Sequence, residues 1–89
     1  MIEEIEKYAK EHKVPIMLKD GIEYLCNYIQ ENHIQKILEI GTAIGYSAIK
    51  MALVKENIHI TTIERDEERY NIALENIQNM HLEDRITLI

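Results

Sequence analysis

Apolar positions change their period partway along this chain, and the change separates two kinds of structure. Near the start, Ile2, Ile5, Tyr8 and Ala9 stand at the spacing of one helical face, predicting a helix that runs to about His12. Val14-Pro15 ends that stripe. Proline drives the residue before it out of the helical region, so residues 14–18 are expected to be extended. Ile22, Leu25, Cys26 and Ile29 then fall at i, i+3, i+4 and i+7 and predict a second helix over residues 21–32, with Asp20 as its N-cap.

Beyond that the period shortens. Residues 36–40 read Lys-Ile-Leu-Glu-Ile, a short apolar run closed by Gly41, and predict a buried strand. Residues 47–55 are apolar almost all round, as in a helix buried against a sheet. Residues 58–64 form a second run rich in β-branched side chains. Asp66 is placed to cap a longer helix with Tyr70, Ala73, Leu74 and Ile77 as its stripe. Glu67 and Glu68 would lie in its first turn, where negative charge suits the helix dipole. Residues 85–89 open a third strand.

Two helices are thus followed by strand, helix, strand, helix, strand. Such alternation implies parallel strands joined by right-handed crossovers, and an α/β class. Three such strands make half of a doubly wound sheet, in order 3-2-1. Residues 1–33 would form the N-terminal helices and 34–89 the first half of a nucleoside-binding domain. A strand destined for a sheet interior occupies the last five residues, so the chain is expected to be a fragment.

Composition narrows the setting. Apolar residues make up 46% of the chain and charged residues 29%, an ordinary globular balance. No apolar run is long enough to span a bilayer, and the start has no secretory leader pattern. Cys26 has no second cysteine to pair with, which agrees with a reducing compartment and a cytoplasmic protein. On an apolar helix face it reads as a small hydrophobe. A net charge of −6 repels phosphate backbones, so charge alone predicts no nucleic-acid binding by this segment. His12, His33, His59 and His81 are scattered without metal-ligand spacing.

The candidate chemistry lies in residues 37–47, Ile-Leu-Glu-Ile-Gly-Thr-Ala-Ile-Gly-Tyr-Ser. A strand ends at Gly41, a turn follows, and a helix begins between Gly45 and Ser47. A missing Cβ allows the backbone angles that such a turn needs and lets a ligand approach the main chain. The helix N-terminus offers free N–H groups to an anion. Glu64 ends the next strand, about 20 residues beyond the glycine turn, where an acid in such sheets accepts hydrogen bonds from ribose hydroxyls. Turn and acid together indicate a nucleoside-containing cofactor. The dinucleotide fingerprint G-x-G-x-x-G is not met, because Ala43 stands at its second glycine and the third is absent.

These residues carry a family resemblance. Leu-Glu-Ile-Gly-Thr-Ala-Ile-Gly-Tyr-Ser resembles the first motif of the S-adenosylmethionine-dependent O-methyltransferases, which include the catechol and caffeoyl-CoA enzymes. Thr62-Ile63-Glu64-Arg65-Asp66 is similar to their ribose-binding motif, and Asp84-Arg85-Ile86 to the approach to their third strand. His12-Lys13-Val14-Pro15-Ile16-Met17 resembles the bacterial branch that includes tRNA 5-hydroxyuridine methyltransferases. The resemblance implies the N-terminal half of a Rossmann-like methyltransferase fold and S-adenosyl-L-methionine as cofactor. It implies that Gly41 passes beneath the methionine part, Ser47 bonds the amino-acid end, Glu64 holds the ribose, and Met17 lines the pocket. Arg65 would flank the adenine by position alone. It further implies a divalent metal, Mg²⁺, whose carboxylate ligands lie beyond the third strand. No catalytic residue is therefore expected among these 89.

The implied activity is methyl transfer to a hydroxyl, either of a catechol-like small molecule or of 5-hydroxyuridine in tRNA. This chain would serve as the cofactor-binding part, inactive alone and self-associated or dimeric through an uncovered sheet edge. The competing reading is a non-catalytic nucleotide-binding or interaction module that pairs with a partner chain. A nicotinamide-dependent dehydrogenase is disfavoured by Ala43.

Overall fold

The structure, a computed structural model, describes residues 2–89. Two helices, α1 (Ile2–Glu11) and α2 (Lys19–Glu31), precede β1 (Lys36–Ile40), α3 (Tyr46–Ala52), β2 (His59–Ile63), α4 (Glu67–Asn79) and β3 (Ile86–Leu88). β1 pairs with β2 and β2 with β3, both in parallel, so the spatial order follows the chain and equals the expected 3-2-1. A sheet that grows in one direction through right-handed crossovers carries both crossover helices on one face.

The register shows how that face is built. Ile37, Ile60 and Ile86 stand side by side across the three strands, and Glu39, Thr62 and Leu88 form the next row on the same side. Ile60, Thr62 and Ile86 are buried, and α3 covers β2 and β3. α3 is in turn packed under α1 and α2, which contribute Ile5, Ala9, Ile22 and Ile29 to the core. A helix held between a sheet and two other helices has no solvent side to spare, and Ala48, Ile49 and Ala52 are all fully buried.

Four local expectations are corrected. β1 is not buried on both faces: Leu38 is 66% and Ile40 74% exposed, because no element covers the far side of the sheet. α2 starts at Lys19, since the extended run ends at Leu18 (φ −64°, ψ 152°); Asp20 is therefore inside the first turn, not the N-cap. α3 stops at Ala52, leaving Lys55 outside it. On α4, Ala73 and Ile77 are buried as expected, but Leu74 points outward, and Ile72, with Met80 just past the helix, packs beside the core instead. Among the described residues no helix is long and apolar enough to cross a membrane.

Candidate functional site

The site is assembled where β1 and β2 end. β1 leaves the sheet at Gly41 (φ 91°), and the chain passes Ala43 (φ 51°) and Gly45 (φ 92°) before α3 begins at Tyr46. Three left-handed residues in five make a tight loop, and it is tied back to the sheet. The N–H groups of Gly41 and Thr42 both donate to the Ile63 carbonyl, at 2.8 and 3.1 Å. The two glycines have different surroundings. A Cβ on Gly45 would meet Ala73 of α4 at 3.6 Å, so this glycine lies in a helix–helix contact. A Cβ on Gly41 would meet nothing within 4 Å. The main chain at Gly41 is thus open to a ligand.

That opening belongs to a cleft of about 440 Å³ between the extended segment around Met17 and the loop, walled by Met17, Glu39, Gly41, Tyr46 and Ser47 among others. A second groove, between α1 and α4, is smaller at about 240 Å³ and is lined by Glu4, Tyr8 and Glu75, with no glycine opening onto it. Tyr46 is both core and wall. Its ring is buried while its hydroxyl donates to Glu6 Oε2 at 2.7 Å, fastening α1 to the site helix. Burial first, then the bond to Glu6 and its negative charge, push the phenol up to about 12.

A hydroxyl network runs behind the cleft wall. Glu39 accepts from Thr62 Oγ1 at 2.7 Å through Oε1 and from Ser47 Oγ through Oε2. Thr62 and Thr42 hydroxyls lie 2.6 Å apart, and both threonines are buried. Ser47, the second residue of α3, is not its cap; Gly45 occupies that position, without a side-chain bond. Glu64 follows β2 and is held by main chain, accepting from Ala43 N–H at 2.7 Å and from Asp66 N–H at 3.0 Å. It does not wall the cleft itself but is joined to the loop through Ala43. Arg65 is exposed beside it, and no bond ties it to the cleft.

Of the residues singled out in the sequence, Met17, Gly41 and Ser47 share one cleft, and Glu64 grips the loop from the neighbouring strand. Glu39, Thr42 and Thr62 stand inside the quoted motifs, but spacing alone gives them no role of their own. The signal was a polar residue inside each of two strands, Glu39 and Thr62, in facing register on the covered side. A single run of sequence does not display register. Among the described residues no group of three His, Cys, Asp or Glu side chains converges as a metal site, so a divalent metal finds no ligand set among them.

Comparison with known proteins agrees with this geometry. A family model described as O-methyltransferase matches residues 1–89. Caffeoyl-CoA O-methyltransferase from Populus kitakamiensis is 29% identical over 85 residues, and catechol O-methyltransferase from Sus scrofa is 31% identical over 81. These matches cover 94% and 90% of this chain but 36% and 43% of those proteins, so the chain spans less than half of their length. A crystal structure from Staphylococcus aureus, provisionally assigned as a caffeoyl-CoA O-methyltransferase, superposes with a TM-score of 0.96 at 38% identity, covering 99% of this chain and 42% of that one. The O-methyltransferase from Bacillus cereus, crystallised in complex with SAH (S-adenosylhomocysteine), superposes at 0.86 with 28% identity, covering 99% of this chain and 41% of that one.

Proposed function

The chain belongs to the O-methyltransferase family over residues 1–89, and on that premise we propose that it forms the donor-binding part of an S-adenosylmethionine-dependent enzyme methylating a hydroxyl. The observation that carries this reading is the pair of acids at adjacent strand ends, Glu39 and Glu64, with the open main chain of Gly41 between them. When bound, S-adenosylmethionine supplies a methyl carbon made electrophilic by its sulfonium. Four of the chain's own residues fit such a group. Gly41 leaves room for close approach, and Met17 offers a polarizable, apolar wall suited to the carbon groups around the sulfonium. The Glu39 carboxylate suits a cationic amino group, and Glu64 has lone pairs left for two ribose hydroxyls after its main-chain bonds. These residues bind and orient the donor, a proximity contribution.

The acceptor is a hydroxyl of a catechol-like molecule or of 5-hydroxyuridine in tRNA, and assays of the full-length protein with each separate the two. Glu64 tests the cofactor reading. Glu64→Gln removes a charge-assisted acceptor, worth roughly 1.5–3 kcal/mol per bond. Calorimetry on the full-length variant is expected to show S-adenosylmethionine binding weakened about tenfold or more. The variant is also expected to lose the preference for adenosine over 2′-deoxyadenosine, a readout that a general loosening of the loop leaves in place. Unchanged affinity removes Glu64 from the site.

A further inference from the structure

Thr62 has no part in the binding reading above, yet it is a fully buried polar residue beside the site. Its hydroxyl has two partners, Glu39 Oε1 at 2.7 Å and Thr42 Oγ1 at 2.6 Å. The chemistry of the partners fixes the direction of both bonds. A carboxylate only accepts, so the Thr62 proton points at Glu39. Thr62 is then left as acceptor toward Thr42, and the Thr42 proton is assigned to it. Ser47 donates to the other Glu39 oxygen. The hydroxyls therefore form a chain of one polarity, from Thr42 to Thr62 to Glu39, met from the other side by Ser47.

The Thr42 and Thr62 hydroxyls are buried, and their effect falls on Glu39. A glutamate has three side-chain torsions, and one donor on each oxygen removes much of that freedom before any ligand arrives. The strands are registered so that Glu39 and Thr62 are direct neighbours, and a β-branched side chain such as threonine holds its χ1 firmly. The carboxylate keeps lone pairs for a further donor in the cleft.

We propose that Thr62, backed by Thr42, is a positioning residue that sets the Glu39 carboxylate for the cationic amino group of the cofactor's amino-acid tail. It thereby makes the site prefer nucleosides that carry the tail over those that lack it. This rests on the cleft being the S-adenosylmethionine site, so the test must separate the two ideas.

Calorimetry on the full-length protein with S-adenosylhomocysteine and with adenosine does so. The unsubstituted protein is expected to bind the tail-bearing ligand more tightly. Thr62→Val keeps the shape and loses the hydroxyl; it is expected to weaken S-adenosylhomocysteine about tenfold and leave adenosine unchanged. Thr62→Ser returns the hydroxyl and is expected to restore the preference. A Thr62→Val protein with undiminished S-adenosylhomocysteine affinity overturns the proposal, and so does one that loses both ligands equally, since that is a fold effect. If Thr62→Val does not fold, Thr42→Val takes its place, with a tail-selective loss of about threefold expected because only the outer link is cut; no selective loss overturns the proposal. An unsubstituted protein that binds neither ligand overturns the cofactor reading itself, and the positioning role with it.

Discussion

Gly41 and Gly45 have nearly the same φ, 91° and 92°, and differ in what lies beyond the missing Cβ. An alanine at either position pays the left-handed penalty of roughly 1–2 kcal/mol. Gly41→Ala would also push a methyl group into the open space through which a ligand reaches the main chain, whereas Gly45→Ala would only touch Ala73 at an ordinary distance. Both full-length variants are therefore expected to lose similar stability in urea titrations. Calorimetry is expected to show weakened S-adenosylmethionine binding in Gly41→Ala alone, and equal weakening in both would mean that the turn matters only through its backbone. The glycines and Glu64 were readable from sequence because their spacing along one chain mirrors their spacing in the fold. Glu39 was not, because a lone acid in a strand looks like surface charge until its cross-strand neighbour is known. By spacing alone Ala43 is only a missing glycine. The structure gives it φ 51° and an N–H bonded to Glu64, so the turn reaches the same handedness with a side chain in place.

Among the elements, α3 is the one the others are arranged around, and Tyr46 at its start fastens α1 to it through Glu6. Tyr46→Phe removes that bond from a buried ring and is expected to cost about 1 kcal/mol at neutral pH. The pH dependence has a definite sign. The folded phenol is raised from the ordinary 10 to about 12, so the unfolded chain gives up this proton first. The stability it represents is fully present below pH 10 and is lost as pH rises toward 12. Urea titrations from pH 8 upward are expected to show the two proteins converging across that window, and a constant gap would place the stabilisation outside the hydroxyl. Helix starts show why element boundaries were only partly readable. Asp66 and Asp20 are the same residue type just ahead of an apolar stripe. Asp66 has extended backbone and accepts from Arg69 N–H at 2.9 Å, the geometry of a cap. Asp20 follows an extended run that already ends at Leu18, so the helix begins before it. Composition marks where a cap is affordable; the preceding backbone decides which residue becomes one.

At the scale of the whole molecule the sheet has one covered face and one bare one. The covered face was legible, because alternating strands and helices with right-handed crossovers leave no other arrangement for three strands added in order. The bare face was not, since Lys-Ile-Leu-Glu-Ile reads as a run buried on both sides, and only the neighbours present determine which sides are covered. Leu38 and Ile40 stand outward on β1, Ile63 is the registered neighbour of Ile40, and β1 itself has a partner on one edge only. Parallel sheets are ordinarily covered on both faces, and an unpaired apolar edge is a template for association. The 89-residue chain by itself is therefore expected to self-associate in light scattering. The substitution Leu38→Lys places charge on the bare face at a residue that does not line the cleft beside Gly41, and is expected to shift the mass toward the monomer. With no converging metal-ligand set among the described residues, the unsubstituted 89-residue chain is expected to transfer no methyl group to a catechol or to hydroxyuridine-containing tRNA, even with Mg²⁺ and cofactor added. A monomeric unsubstituted chain would show that the exposed leucine and isoleucine do not drive association. Methyl transfer by that chain would mean that Glu39, Ser47 and Glu64 belong to a complete active site, and that donor binding and chemistry are not divided as proposed.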